Sequence, residues 1–205
     1  MPRTGRPKGS TGRAAVLSTA QVRHVFRIAK ARGRLADRAE AVFALSLGLG
    51  LRAKELAALT CGDVFDEKGR VRPVLHLKAA YTKAARTRDV FVSSPQVRQV
   101  LEAYGERCAP WRSSHPDTPL FRSQKRGNLT PSSMARFLTG LYREAGISKA
   151  SSHSGRRTLI TRLADRGIDL KAIAELAGHS SIRTTAMYVE ANPARLARIL
   201  QEVRW

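Results

Sequence analysis

Residues 151–190, SSHSGRRTLITRLADRGIDLKAIAELAGHSSIRTTAMYVE, constrain the chain more than any other stretch. In the middle, Leu170, Ile173, Ala174, Leu176 and Ala177 recur at helical spacing. A short amphipathic helix there must bury that stripe against the rest of the chain. Asp169 is its expected N-cap and Gly178 the expected residue past its end. His153 and Arg156 form an H-x-x-R ahead of the helix, and His179 follows directly behind it. Ser180 or Ser181 then caps a further helix that carries Tyr188. A phenol can attack phosphorus, and fixed cations can hold the charge on phosphate oxygens. A tyrosine among histidines and arginines therefore points to phosphoryl transfer without a metal.

A second constellation lies upstream. Residues 39–51 read as an apolar helix broken by Gly48 and Gly50, and Arg52 follows the break at the start of the next helix. A guanidinium there offers a two-pronged donor to a phosphate, and the helix dipole adds positive potential. Glu55 lies one turn on, placed to orient Arg52, while Leu56 and Leu59 anchor the helix in the core. Alone, such an arginine is an ordinary surface residue; the downstream residues give it weight.

Together these stretches resemble the tyrosine recombinases, also called the phage integrase family. The family's C-terminal pattern is roughly H-x-L-R-H-T, then L-G-H-s-s-x-x-T-T-x-x-Y. Here it stands as His153-Ser154-Gly155-Arg156-Arg157-Thr158, then Leu176-Ala177-Gly178-His179-Ser180-Ser181-Ile182-Arg183-Thr184-Thr185-Ala186-Met187-Tyr188. Gly155 replaces the usual leucine and Arg157 the usual histidine. Residues 50–64 resemble the first family box, G-L-R-x-x-E-L-x-x-L-x-x-x-D-[IV]. Residues 119–130 resemble L-F-x-S…G-x-x-L-T. The resemblance runs from about residue 17 to residue 190.

The resemblance implies an α+β fold: a mostly helical catalytic domain with a small three-stranded antiparallel sheet. It implies six catalytic residues, Arg52, Lys83, His153, Arg156, His179 and Tyr188. Tyr188 would attack a DNA phosphodiester to give a 3′-phosphotyrosine and a free 5′-hydroxyl. His153 would act as base, and Lys83 would protonate the leaving oxygen. Arg52, Arg156 and His179 would hold the non-bridging oxygens. Lys83 aligns by counting back from Arg88-Asp89-Val90-Phe91-Val92, which resembles R-x-V-P-L, and Lys78 is its rival. No cofactor is implied, and no metal, since the boxes contain no carboxylate cluster suited to two metal ions. The implied partners are double-stranded DNA and further copies of the chain, four on paired sites. Three functions stay open: a site-specific recombinase, a topoisomerase-like nicking-rejoining enzyme, and a catalytically idle DNA-binding relative.

Composition agrees with a nucleic-acid partner. The formal charge is +21 over 205 residues, spread along the chain rather than beside an apolar anchor. No stretch is long and apolar enough to span a bilayer, and the N-terminus has no apolar signal core. Cys61 and Cys108 have no metal-ligand spacing, so reduced thiols in a cytoplasmic, nucleoid-associated prokaryotic protein are expected.

Residues 1–16 read as a basic tail whose Gly5-Arg6-Pro7-Lys8-Gly9 is like a minor-groove-binding hook. Only this tail precedes the expected catalytic domain, 17–190, so the chain is similar to short members such as fimbrial phase-switch recombinases, without a separate clamp domain. Arg6, Lys8, Arg86, Arg88 and Arg157 are the expected DNA contacts. Ser18 to Gln21 fits a capping box. Strand signals fall at Val64-Phe65, 71–77 and 89–92, around a basic turn. Helices are expected over 96–107 and after Thr130-Pro131. Residues 191–205 are expected to hold a last helix, packed on its own protomer or exchanged with a neighbour.

Overall fold

The computed structural model describes residues 14–82, 87–112, 115–123, 127–188 and 201. Arg6, Lys8, Lys83 and Arg86 lie outside the described residues, as do most positions after Tyr188. Among the described residues the chain is mostly helical: α1 (Thr19–Lys30), α2 (Ala36–Gly48), α3 (Ala53–Ala58), α4 (Cys61–Val64), β1 (Val74–Leu77), β2 (Arg88–Phe91), α5 (Pro95–Arg112), α6 (Pro131–Glu144), α7 (Ser154–Asp165), α8 (Leu170–Ala177) and α9 (Ile182–Ala186).

The helix starts follow local chemistry. The Ser18 hydroxyl accepts from the Gln21 amide at 3.2 Å, and the Gln21 side chain accepts from the Ser18 amide at 2.9 Å. Thr130 caps α6 with Pro131 in its first turn. The Asp169 carboxylate accepts from the Ala172 amide at 2.9 Å to open α8. Gly178 closes it in the left-handed region, φ 61° and ψ 49°.

The main core surrounds α2, which is buried on nearly every side and packs against α1, α5 and α7. Phe43 sits edge-on to Phe26 at 4.8 Å and to Tyr142 at 5.9 Å. Truncating so buried a ring costs about 3–5 kcal/mol. A smaller core joins α7 and α8 through Ile160, Ala164, Ile173 and Ala177, with Tyr188 packed on its edge. Gly155 lets the two units approach. A Cβ there would fall 2.6 Å from Ser46 Oγ and 3.1 Å from the Ser46 carbonyl carbon, so the first turn of α7 lies directly on α2. The departure from the family's leucine thus has a packing cause.

The sheet corrects one expectation. Among the described residues it has two antiparallel strands, with Val74 opposite Phe91 and Leu77 opposite Arg88, not three. Val64 is the last residue of α4, and Phe65 keeps only a single bridge to Val71. The cause is local: Thr60 and Asp63 form a capping box, at 2.9 and 3.3 Å, that winds 61–64 into a helical turn despite the β-favouring Val64-Phe65. Pro73 cannot donate to a ladder, so β1 begins at Val74 rather than Val71. Helix α5 runs past the expected end at Arg107 to Arg112, through Pro110, with Cys108 fully buried in its last turns.

Candidate active site

The site forms where the two cores meet, at the C-terminal end of α8. The last carbonyls of a helix have no partner within it. Here three consecutive ones each accept from a different arginine. Leu176 O takes Arg88 Nη1 at 2.7 Å, Ala177 O takes Arg156 Nη2, and Gly178 O takes Arg52 Nη2 at 3.1 Å. The negative end of the α8 dipole helps to gather these like charges.

Arg52 stands at the N-cap of α3, just after Gly50 with φ 65°. Its amide and its Nη1 both donate to Glu55, each at 2.8 Å. Glu55 is fully buried and also accepts from Arg88 Nη2 at 2.9 Å. Burial works to raise the Glu55 pKa, but Arg88 and then Arg52 outweigh it and hold the carboxyl below its ordinary value. Arg156 is 3% exposed and donates through Nη1 to Gly50 O at 2.6 Å. Burial, then the like charge of Arg52, lowers the Arg156 pKa; guanidinium basicity still keeps it charged at neutral pH.

His179 follows Gly178, and its amide donates to Ala174 O at 2.9 Å, which fixes the turn. Its Nδ1 lies 2.8 Å from the buried Thr185 hydroxyl. Its ring stacks on Tyr188, centroids 5.7 Å apart and planes 17° apart. Burial, then Arg156, Arg52 and Arg88, lowers the His179 pKa to about 4, so the ring is neutral at pH 7. Tyr188 lies two residues beyond α9 rather than on it, its amide bonded to Thr185 O at 2.9 Å. His153 is exposed at the N-cap of α7, one turn before Arg156.

Two expected DNA contacts are placed otherwise. Arg157 is buried and donates to Ala14 O at 2.8 Å, holding the chain's entry to α1. Arg88 is turned inward onto Glu55 and α8, its side chain 10% exposed. Period-two alternation carried the signal: Arg88 shares a strand face with buried Val90, opposite exposed Asp89 and Phe91. Lys78 reaches Asp63 at 3.7 Å and Asp117 at 3.9 Å and lies 5.6 Å from the Tyr81 ring centroid. A hydrogen bond with Tyr81, then Asp63, raises its pKa. Lys54 on α3 donates to Thr82 O at 3.0 Å, directly before Lys83. The contacts of Thr185 and Lys54 had no signature in the spacing.

The arrangement can bind an anion. Three guanidiniums gather near one carboxylate, Glu55, which accepts from Arg52 and Arg88 while Arg156 holds backbone carbonyls, leaving a surplus of positive charge in a largely dehydrated place. Arg52 and Arg156 each use two of about five N–H donors on protein acceptors, so donors remain for a ligand.

Comparison with known proteins agrees with this geometry. The model of the "Phage integrase family" matches residues 15–195. Tyrosine recombinase XerC of Myxococcus xanthus is 35% identical over 167 residues, 79% of this chain and 53% of that protein. Tyrosine recombinase XerA of Pyrococcus furiosus is 30% identical over 161 residues, 77% of this chain and 51% of that protein. The chain thus spans about half the length of these curated relatives. Among solved structures, the XerA recombinase superposes with a TM-score of 0.72 at 23% identity, over 93% of this chain and 66% of that one. The XerH site-specific recombinase bound to its difH substrate superposes with a TM-score of 0.69 at 19% identity, over 92% and 55%. Those two likenesses show the fold. The chain belongs to the phage integrase family and has the fold of its tyrosine recombinase catalytic domain.

Proposed function

We propose that the chain is a site-specific DNA recombinase that cleaves and rejoins DNA through a 3′-phosphotyrosine at Tyr188. The observation that carries this reading is the surplus of guanidinium charge at the end of α8, beside the stacked His179–Tyr188 pair. A scissile phosphate supplies the anion that such a cluster lacks. The family relatives are tyrosine recombinases, and a superposable neighbour, the Tn1549 transposon integrase, was solved in complex with DNA.

In the reaction the Tyr188 oxygen bonds to phosphorus and the bond from phosphorus to O5′ breaks. The phenolic proton passes to His153, and Lys83 gives a proton to O5′. Arg52 and Arg156 hold the non-bridging oxygens through their remaining donors. Thr185 donates to Nδ1 of neutral His179, which leaves Nε2–H to donate to the phosphate. Attack by a 5′-hydroxyl of another duplex reverses the step and exchanges strands, so four copies act on paired sites. Residues 17–190 form the catalytic unit. The basic tail, 1–16, adds DNA contacts, and 191–205 serves contacts between protomers. No helix among the described residues is long and apolar enough to cross a membrane. A DNA substrate of this kind would place the working protein in the cytoplasm, on the nucleoid.

A nicked suicide duplex, from which the cleaved end diffuses away, tests the reading. The expected result is a covalent protein–DNA adduct whose linked peptide contains Tyr188. No adduct, or one mapped to Tyr81, Tyr104 or Tyr142, would overturn it.

A further inference from the structure

We propose that Arg88 is a positioning residue of this site: it sets Arg52 through the shared Glu55 carboxylate and fixes the turn that presents His179. The inference deepens the recombinase reading and rests on it. Arg88 is the first residue of β2, on the strand face that carries buried Val90. A leucine there would pack the sheet as well and avoid burying a charge, so packing alone does not explain an arginine. Its Nε is moreover buried with no hydrogen-bond partner among the described residues, an added cost.

Its three contacts lie on other elements. Nη2 donates to Glu55 Oε2 at 2.9 Å, while Glu55 Oε1 takes Arg52 Nη1 at 2.8 Å. The carboxylate is thus stretched between two guanidiniums, and its orientation depends on both. Nη1 holds Leu176 O at 2.7 Å, the first of the three carbonyls at the end of α8. The aliphatic stem fills the space beside Gly178, where a Cβ would fall 2.5 Å from Arg88 Cδ. Gly178 O accepts from Arg52, and His179 is the next residue. Both routes lead from Arg88 to groups proposed to touch the phosphate.

The test is a double-mutant cycle on the full chain, with single-turnover cleavage of a suicide duplex at saturating protein. Arg88→Gln should bind DNA within about threefold of wild type and cleave about 30- to 100-fold more slowly, the scale of losing part of a transition-state contact. Arg88→Lys should fall between, because one ammonium cannot reach both Glu55 and Leu176 O. Added to Arg52→Lys, Arg88→Gln should slow cleavage by about 3- to 10-fold further, clearly less than its effect alone, because the Glu55 route is already lost and only the route through Leu176 and His179 remains. Should Arg88→Gln not fold, the same cycle with Arg88→Lys gives the answer. Unchanged cleavage in the single variant overturns the proposal, as does a full multiplicative loss in the double variant. Absence of any adduct with wild-type protein defeats the recombinase reading itself, a different result from either of these.

Discussion

The imidazole of His179 lies nearly parallel to the phenol of Tyr188, with centroids 5.7 Å apart, while its Nδ1 is held 2.8 Å from the Thr185 hydroxyl. One short segment therefore aims both the proposed phosphate-binding group and the proposed nucleophile. Thr185→Val keeps the shape of the buried side chain and removes the hydroxyl. Losing one hydrogen bond of about 1–1.5 kcal/mol should slow cleavage roughly 5- to 15-fold, with DNA affinity nearly unchanged. Single-turnover kinetics on a suicide duplex measure this, and a wild-type rate would show that Thr185 does not orient His179.

The depressed His179 pKa gives a stability signature. Folded, the ring titrates at about 4; unfolded, at its ordinary 6.5. Between those values the unfolded chain binds more protons, so stability should fall as pH drops from about 6.5 toward 4 and be fully present above that window. Urea midpoints across pH 4–8 should decline more steeply for wild type than for His179→Gln. Parallel curves would mean that the ring is not held neutral by burial and the three arginines.

Gly155 yields a prediction opposite to what family consensus suggests. A side chain there meets Ser46 and the Leu47 amide in fully packed surroundings, at 2.6–3.2 Å. Gly155→Ala should destabilise the protein by about 1–3 kcal/mol, and Gly155→Leu by more, although leucine is the usual family residue. Thermal melts decide it; a raised midpoint for Gly155→Ala would contradict the close packing of α7 on α2.

Much of this was legible in the sequence where chemistry is local. The caps at Ser18, Thr130, Asp169 and Ser181 each depend on residues within one turn, and each forms. The spacing of Arg156, Gly178, His179 and Tyr188 around one short helix likewise determines that they meet. The direction taken by a basic side chain is different, because it depends on what the rest of the chain brings opposite. Arg88 and Arg157 read as DNA contacts, yet Glu55 and α8 claim the first, and the Ala14 carbonyl the second. The third strand failed because the Thr60–Asp63 box, two residues and two short bonds, outweighs the weaker β preference of Val64-Phe65.

The choice of general acid can be settled chemically. Lys78 is engaged by Asp63 and Asp117, and both it and Lys83 stand as candidates. A substrate with sulfur in place of the bridging O5′ leaves as a thiolate and needs no proton. Lys83→Ala should cleave the oxygen substrate at least about 100-fold more slowly and regain most of its rate on the sulfur substrate. Lys78→Ala should cleave both like wild type. Rescue of Lys78→Ala instead would exchange the two assignments.

The central claim is that Tyr188, whose ring packs against the edge of the α7–α8 core, is the nucleophile and not a packing residue alone. Tyr188→Phe separates these roles, because it keeps the ring and removes only the hydroxyl. The measurement is covalent adduct on a nicked suicide duplex, resolved by denaturing electrophoresis, with DNA affinity and melting temperature taken on the same samples. The account predicts affinity within about twofold of wild type, a stability change of no more than about 1 kcal/mol, and no adduct at any time. An adduct that still forms in Tyr188→Phe would contradict it.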